Sequence, residues 1–299
     1  MSNQCRSCLS KKKQKIFGKN VYGGIKKQHF YKCSQCHIVY LFPIIEKKKE
    51  EKFYKLNFEK FMNERSKNEI KWDDPKKHFI SNNHEFKRRI KFLNINKLKN
   101  KNIMEIGSSS GFMLKPLEKY NNKLYGIEPS DNFRYYTNNI NIKTYKSIDE
   151  ALKLKKKSID LLLHYYVLEH IDDPVKFIKK SMKFLKKNGQ IIFEVPNIND
   201  PLITIFKTKA FDNFYWSVVH HWYFSSITLG NLLTKNNIKH EFYFDQRYDL
   251  SNHFTWLKEG KPGGTNKYSK YFSKTLNRRY KEDLINSGYC DTLGVIIKN

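Results

Sequence analysis

At 299 residues the chain has room for one sizeable domain and a small module, or for two modest domains. Its 57 Lys and Arg against 29 Asp and Glu give +28, yet 39% of the residues are apolar and 15% aromatic, which excludes a disordered polycation. No secretory h-region and no apolar run of about 18 residues occur, so the expectation is a cytoplasmic protein without a membrane span. Lysine runs such as Lys11 to Lys13 and Lys155 to Lys157 are scattered along the chain. They read as solvated faces and compositional bias before they read as a nucleic-acid footprint.

Cys5-x-x-Cys8 and Cys33-x-x-Cys36 are two knuckles with 24 residues between them. A two-residue gap lets both thiolates of a knuckle face one ion, and four thiolates close a tetrahedral, structural Zn2+ site. The alternating His29-Phe30-Tyr31-Lys32 suits a hairpin that delivers the second knuckle, so residues 1–45 are read as a zinc ribbon. His37 is read as a solvated ring and Cys290 as a small buried hydrophobe. Residues 46–79 form a helical linker: a charged run from Glu46 to Lys52, then an amphipathic helix carrying Phe53, Tyr54, Leu56, Phe58, Phe61 and Met62. Asn82 or Asn83 caps a further helix with Phe86, Ile90 and Leu93 inward.

From Asn102 strands and helices alternate, the pattern of an α/β fold with a doubly wound sheet. The strand Ile103-Met104-Glu105-Ile106 enters the small-residue turn Gly107-Ser108-Ser109-Ser110-Gly111 and a helix starting at Phe112. Missing side chains in such a turn let backbone N–H groups approach a ligand. A second strand, Leu124 to Glu128, ends in an acid 21 positions after Gly107, the interval at which a carboxylate reaches a ribose. Turn and acid together indicate an adenosine-containing cofactor.

These residues resemble a class I S-adenosylmethionine-dependent methyltransferase, whose motif is a hydrophobic strand ending in an acid followed by x-Gly-x-Gly-x-Gly. Glu105, Gly107 and Gly111 match, and Ser109 replaces the central glycine. Ile159 to Leu163 followed by His164-Tyr165-Tyr166-Val167-Leu168-Glu169-His170 resembles the fourth strand and its Glu-His ending. A helix opening at Asp172-Asp173-Pro174 and closing at Asn188-Gly189, then a strand from Gln190 to Val195, continue the order. The resemblance implies a Rossmann-like sheet of seven strands over residues 80–299, with the small zinc ribbon ahead of it. It implies S-adenosylmethionine held by Glu105, Gly107, Ser109, Gly111, Glu128, His164 and Tyr165.

An aromatic insertion at about 200–290 is read as the acceptor side. In related methyltransferases acting on sugars and other small molecules a His stands five positions before the Ser of a Phe-Ser helix start, which here is His220. The resemblance therefore implies His220 as general base, with His221 second and His170 third. The ribbon architecture resembles bacterial methyltransferases of sugars and nucleotide sugars in surface-polysaccharide synthesis, so a sugar hydroxyl is the expected acceptor. The alternatives are methylation of ribosomal or transfer RNA, and a non-catalytic zinc and RNA-binding protein.

Overall fold

The computed structural model describes residues 4–66 and 71–299; residues 1–3 of the expected ribbon and 67–70 of the expected linker lie outside the described residues. Eleven strands occur among the described residues: β1 (Lys15–Gly18), β2 (His29–Lys32), β3 (Val39–Phe42), β4 (Asn102–Ile106), β5 (Lys123–Ile127), β6 (Lys143–Tyr145), β7 (Ile159–Tyr165), β8 (Leu185–Pro196), β9 (Trp222–Tyr223), β10 (His240–Asp245) and β11 (Thr292–Lys298). They form a four-stranded sheet in the order β1-β2-β3-β9 and a seven-stranded sheet in the order β10-β11-β8-β7-β4-β5-β6. By internal contacts the chain falls into two compact units. No helix among the described residues is long and apolar enough to cross a membrane.

One unit gathers Met1–Ile44, Leu168–Val175 and Glu194–Val295. Here β2 pairs antiparallel with β1 and β3, and β9 pairs with the free side of β3 through Val39↔Tyr223 and Tyr40↔Trp222. The strand from the insertion thus covers an edge that would otherwise expose unpaired N–H and C=O groups. Behind the sheet, Phe30, Val39, Leu41, Tyr215, Trp216, Tyr223 and Trp256 form one buried cluster. The Trp216 indole lies so close to Gly18 that a Cβ there would meet it at 2.4 Å, so only glycine fits.

The other unit gathers Ile45–Val167, Lys176–Phe193 and Ile296–Asn299. In it β4 lies parallel to both β5 and β7, with Glu105 beside Gly126 and Ile106 beside His164. The buried runs Ile103-Met104 and Leu161-Leu162-Leu163 reflect strands covered on both faces. Because β4 has its next strand on one side and β7 on the other, the sheet reverses winding there. The carboxyl end of β4 is thus the kind of place where open α/β sheets bind ligands.

Several local expectations are corrected. The charged run is itself helical: Lys47–Leu56 and Phe58–Arg65 form two helices that meet at Asn57. A further helix at Pro75–Ser81 is capped by the Asp74 side chain and has Pro75 in its first turn. After Gly111 the chain forms turns and a 3-10 helix, Lys115–Tyr120, rather than an α-helix; Pro116 withholds an N–H and Asn121 ends the segment in the left-handed region at φ 58°. The helix from Pro174 stops at Met182, because the Phe184 carbonyl accepts the Ser158 and Ile159 amides; Asn188-Gly189 falls inside β8. Gly260 closes the helix Leu250–Glu259 in a left-handed cap, and the Asn252 side chain donates to the Gly263 carbonyl at 2.7 Å, so this glycine-rich stretch is a pinned turn.

Candidate active site

The turn after β4 is shaped by three residues with positive φ: Gly107 at 73°, Ser109 at 41° and Gly111 at 73°. A Cβ on Gly107 would stand 2.8 Å from a Val167 methyl, and one on Gly111 2.5 Å from Ile142 Cδ1, so both positions exclude larger residues. The Gly107 and Ser108 amides donate to the Ile127 carbonyl, which ties the turn to the end of β5. Glu128 follows directly. One of its carboxylate oxygens accepts the Ser109 amide and the other the Ser130 amide, each at 2.9 Å. A carboxylate has about four acceptor sites, so two remain for a diol. Burial pushes Glu128 above the usual carboxylate range, and the amides of Ser130 and Ser109 pull it back.

Glu105 lies beneath the turn, buried, and its Oε2 has no hydrogen-bond partner. Burial lifts its pKa to about 8, against the opposing pull of Arg89 and with added repulsion from Glu128. The Ser108 hydroxyl is likewise buried without a partner. Two acids and unused polar atoms around a glycine-walled cradle suit S-adenosylmethionine, whose sulfonium and ammonium are cationic and whose ribose is a diol. When bound, the cofactor supplies an electrophilic methyl group.

Ser109 is the departure from the glycine pattern, and its left-handed φ carries a strain of about 1 kcal/mol for a residue with a Cβ. Ser109→Gly is expected to raise stability by roughly that amount, about 1 kcal/mol, with cofactor affinity retained or improved. Thermal denaturation and calorimetric titration check this; a destabilised variant would show that the hydroxyl is needed.

Two residues that sequence reading missed support the turn. His78 is buried, with Nδ1 2.9 Å from the Ser110 hydroxyl and its ring against Trp72 and Phe133. Arg89 places its guanidinium 4.1 Å from the centre of the Tyr165 ring while pairing with Glu85 at 3.1 Å. An Asp-Pro pair at positions 74 and 75 was the available signal for the helix that carries His78. His164 lies in the core: its ring stacks on Phe193 with centroids 4.4 Å apart and meets Phe177 edge-on. Burial holds its pKa down to about 3, and neither ring nitrogen has a partner.

The other expected histidines lie in the first unit, at two places. His170 and His220 stand edge to face, ring centres 4.7 Å apart. The Nδ1 of His170 donates to the Val219 carbonyl at 2.8 Å. The Nδ1 of His220 is 2.8 Å from the Tyr223 hydroxyl. That phenol has one proton and gives it to the Tyr215 carbonyl, so it accepts from His220. Both rings therefore carry a proton on Nδ1, and in each neutral imidazole the lone pair is on Nε2. His221 is held differently: Arg6 donates to its Nδ1 at 3.0 Å, reaches Asp172 at 2.5 Å and lies 4.5 Å over the Trp222 ring. Its Nδ1 lone pair is committed to a guanidinium.

The four thiols of the two knuckles come together, with all sulfurs within 4.8 Å of one another. Cys5 and Cys36 are 3.7 Å apart, Cys8 and Cys33 3.6 Å. A tetrahedron with metal–sulfur bonds of about 2.3 Å has edges of about 3.8 Å, so the spacing fits one ion. The knuckles repeat one backbone motif. The amide of the first cysteine donates to the carbonyl five residues on, and the residue after the second cysteine, Leu9 or His37, is left-handed at φ 60°. His37 is exposed, as expected.

A family model described as a methyltransferase domain matches residues 77–240, more than half of the chain. Over 98 residues the chain is 35% identical to the ubiquinone biosynthesis O-methyltransferase of Pelagibacter ubique, a match covering 31% of this chain and 40% of that protein. An uncharacterized methyltransferase of Bacillus velezensis is 26% identical over 177 residues, 54% of this chain and 78% of that one. Among solved structures, an S-adenosylmethionine-dependent methyltransferase from Thermotoga maritima shares the fold with a TM-score of 0.50 at 22% identity, covering 81% of this chain and 97% of that one. With the turn, the two acids and the strand order, these matches establish that the chain belongs to the class I S-adenosylmethionine-dependent methyltransferases.

Proposed function

We propose that the protein transfers the methyl group of S-adenosylmethionine to a hydroxyl oxygen of a small molecule, with a sugar or nucleotide sugar as the acceptor. The observation that carries this reading is the His170–His220 pair, two imidazoles in contact, each with its proton fixed on Nδ1. Methyl transfer from a sulfonium is an in-line displacement, so alignment supplies much of the rate. A hydroxyl acceptor must also lose its proton, and a neutral imidazole suits that task. The O-methyltransferase name of the Pelagibacter relative supports an oxygen acceptor. The field of a +28 chain favours anionic acceptors, among them sugars linked to a nucleoside diphosphate.

In this reading Cys5, Cys8, Cys33 and Cys36 hold a structural zinc ion, whose four thiolates leave no open position for chemistry. Glu105, Gly107, Ser109, Gly111 and Glu128 hold the cofactor.

The test is incubation with methyl-labelled S-adenosylmethionine and two separate pools, nucleotide sugars and total RNA. Label is expected in the first; label in RNA alone overturns the acceptor. His220→Ala is expected to lower kcat about 100-fold or more with cofactor affinity unchanged, read by single-turnover kinetics and calorimetry. Full turnover in that variant would remove the histidine pair from the chemistry.

A further inference from the structure

Glu169 is 1% exposed, and neither of its carboxylate oxygens has a hydrogen-bond partner. A buried carboxylate left in this state is costly, and burial pushes its pKa up to about 8. Its Oε1 lies 3.9 Å from Nε2 of His170. One ligand atom from each of Glu169, His170 and His220 falls within 4.8 Å of the other two. We infer that Glu169, His170 and His220 form a binding site for a divalent first-row transition-metal ion, separate from the four-thiolate cluster.

Three features of the site point to a metal rather than to a chance meeting of polar groups. The donor set, two imidazoles and a carboxylate, is of intermediate softness and suits manganese, iron, cobalt, nickel or zinc. Each imidazole also has the support that metal-bound histidines need. Nδ1 of His170 is fixed by the Val219 carbonyl, and Nδ1 of His220 by a Tyr223 hydroxyl that is itself held by Tyr215, so both rings are oriented by a partner on the far nitrogen. The carboxylate, lastly, lacks the hydrogen bonds that would otherwise compensate its burial, and a cation supplies that compensation.

Metal–ligand bonds of about 2.1 Å place neighbouring donor atoms about 3.0–3.4 Å apart. The ligand atoms, now within 4.8 Å of one another, would close by about 1–2 Å around an ion. Leu168–His170 is a single 3-10 turn, and the His221 amide donates to the Glu169 carbonyl at 2.6 Å, which holds the two segments in place. With an ion bound, His170 and His220 would be its ligands in place of the general-base role that the reading above gives the metal-free pair, and an acceptor oxygen at the ion would lose its proton more easily. The site itself stands or falls on metal binding, whatever the acceptor.

The probe is Mn2+, which soft thiolates hold weakly, so that it reports on this site and not on the cysteine cluster. The full-length protein is titrated and free Mn2+ is followed by its electron paramagnetic resonance signal. One Mn2+ per chain is expected. The near-isosteric Glu169→Gln and His220→Ala should each weaken binding tenfold or more, while His37→Ala, at the thiolate knuckle, should bind as the parent does. Circular dichroism melting identifies any variant that fails to fold, and the parent titration decides the matter without them. No binding by the parent at about 1 mM free Mn2+, and no cobalt absorption band sensitive to Glu169→Gln, would overturn the site. That result would leave the methyl-transfer reading intact, since transfer of label is measured separately.

Discussion

Replacing Cys33 with serine, or stripping the knuckles with a strong chelator, is expected to lower the thermal midpoint by on the order of 10 °C, the largest stability effect anticipated in this protein. The size follows from what the cysteines hold. Cys5 and Cys33 are fully buried, and the loops they end carry β2 and β3, whose Phe30, Val39 and Leu41 enter the same cluster as Trp216, Tyr223 and Trp256. On the zinc reading proposed above, removing the ion deprives four thiols at contact distance of their common partner, and the left-handed residues Leu9 and His37 of what compensates their strain. Tryptophan fluorescence should shift to longer wavelength as Trp216 and Trp256 meet water. A metal assay should return one zinc per cluster before treatment. An unchanged melting curve after complete metal removal would show that side-chain packing alone maintains this unit.

Glu105→Gln should separate stability from function, making the fold more stable and the cofactor site weaker. In the parent, burial raises the Glu105 pKa from 4.5 to about 8. The folded state therefore holds a proton that the unfolded state releases above pH 4.5, and stability falls as pH rises from about 4.5 to 8. At pH 7 this costs about 3 kcal/mol, an order-of-magnitude figure at roughly 1.4 kcal/mol per pH unit. Glutamine keeps the shape and removes that slope, so the variant should melt several degrees higher at pH 7, with a flatter dependence on pH. The same carboxylate, once ionised, attracts a cationic cofactor. Affinity of the parent for S-adenosylmethionine should thus climb from pH 6.0 to 7.5 by up to about tenfold per unit, while the variant should bind roughly 10- to 100-fold more weakly at pH 7.5 with little pH dependence. Calorimetric titration in that window measures both. Parallel curves for the two proteins would take Glu105 out of cofactor recognition.

The parts of the molecule legible in the sequence are those built from near neighbours. Glu105, the turn from Gly107 to Gly111 and Glu128 lie within 24 residues, and the parallel pairing of β4 with β5 brings them together as the spacing suggested. The two cysteine knuckles were legible for the same reason. What escaped depends on contacts far apart in the chain. Glu169 reads as one half of a strand-ending motif, and its meeting with His220 about fifty positions later has no local signal. Arg6 looks like one more basic residue, yet it lies over Trp222 and engages His221. His164 was misleading because a histidine after a hydrophobic strand looks like a site residue until Phe177 and Phe193 are seen around it. The helix at Lys274–Ser287 had a sound start signal in Ser273, but its sparse apolar positions gave no clear face.

The pairing of β9 with β3 bears on the order in which the protein matures. Val39 and Tyr40 lie near the start of the chain, and their partners Tyr223 and Trp222 are made about 180 residues later. At about 5–20 residues per second, a ribosome leaves that edge of the first sheet open for roughly 10 to 40 seconds, with Phe30, Val39 and Leu41 lacking the aromatic half of their core. The thiolate cluster, whose four ligands emerge within the first 36 residues, can therefore reinforce the β1-β2-β3 pairings and hold the early segment in register during that interval. An ion acquired during synthesis would act as an internal guard against edge-to-edge association of nascent chains, a task that ends when Trp222 and Tyr223 arrive.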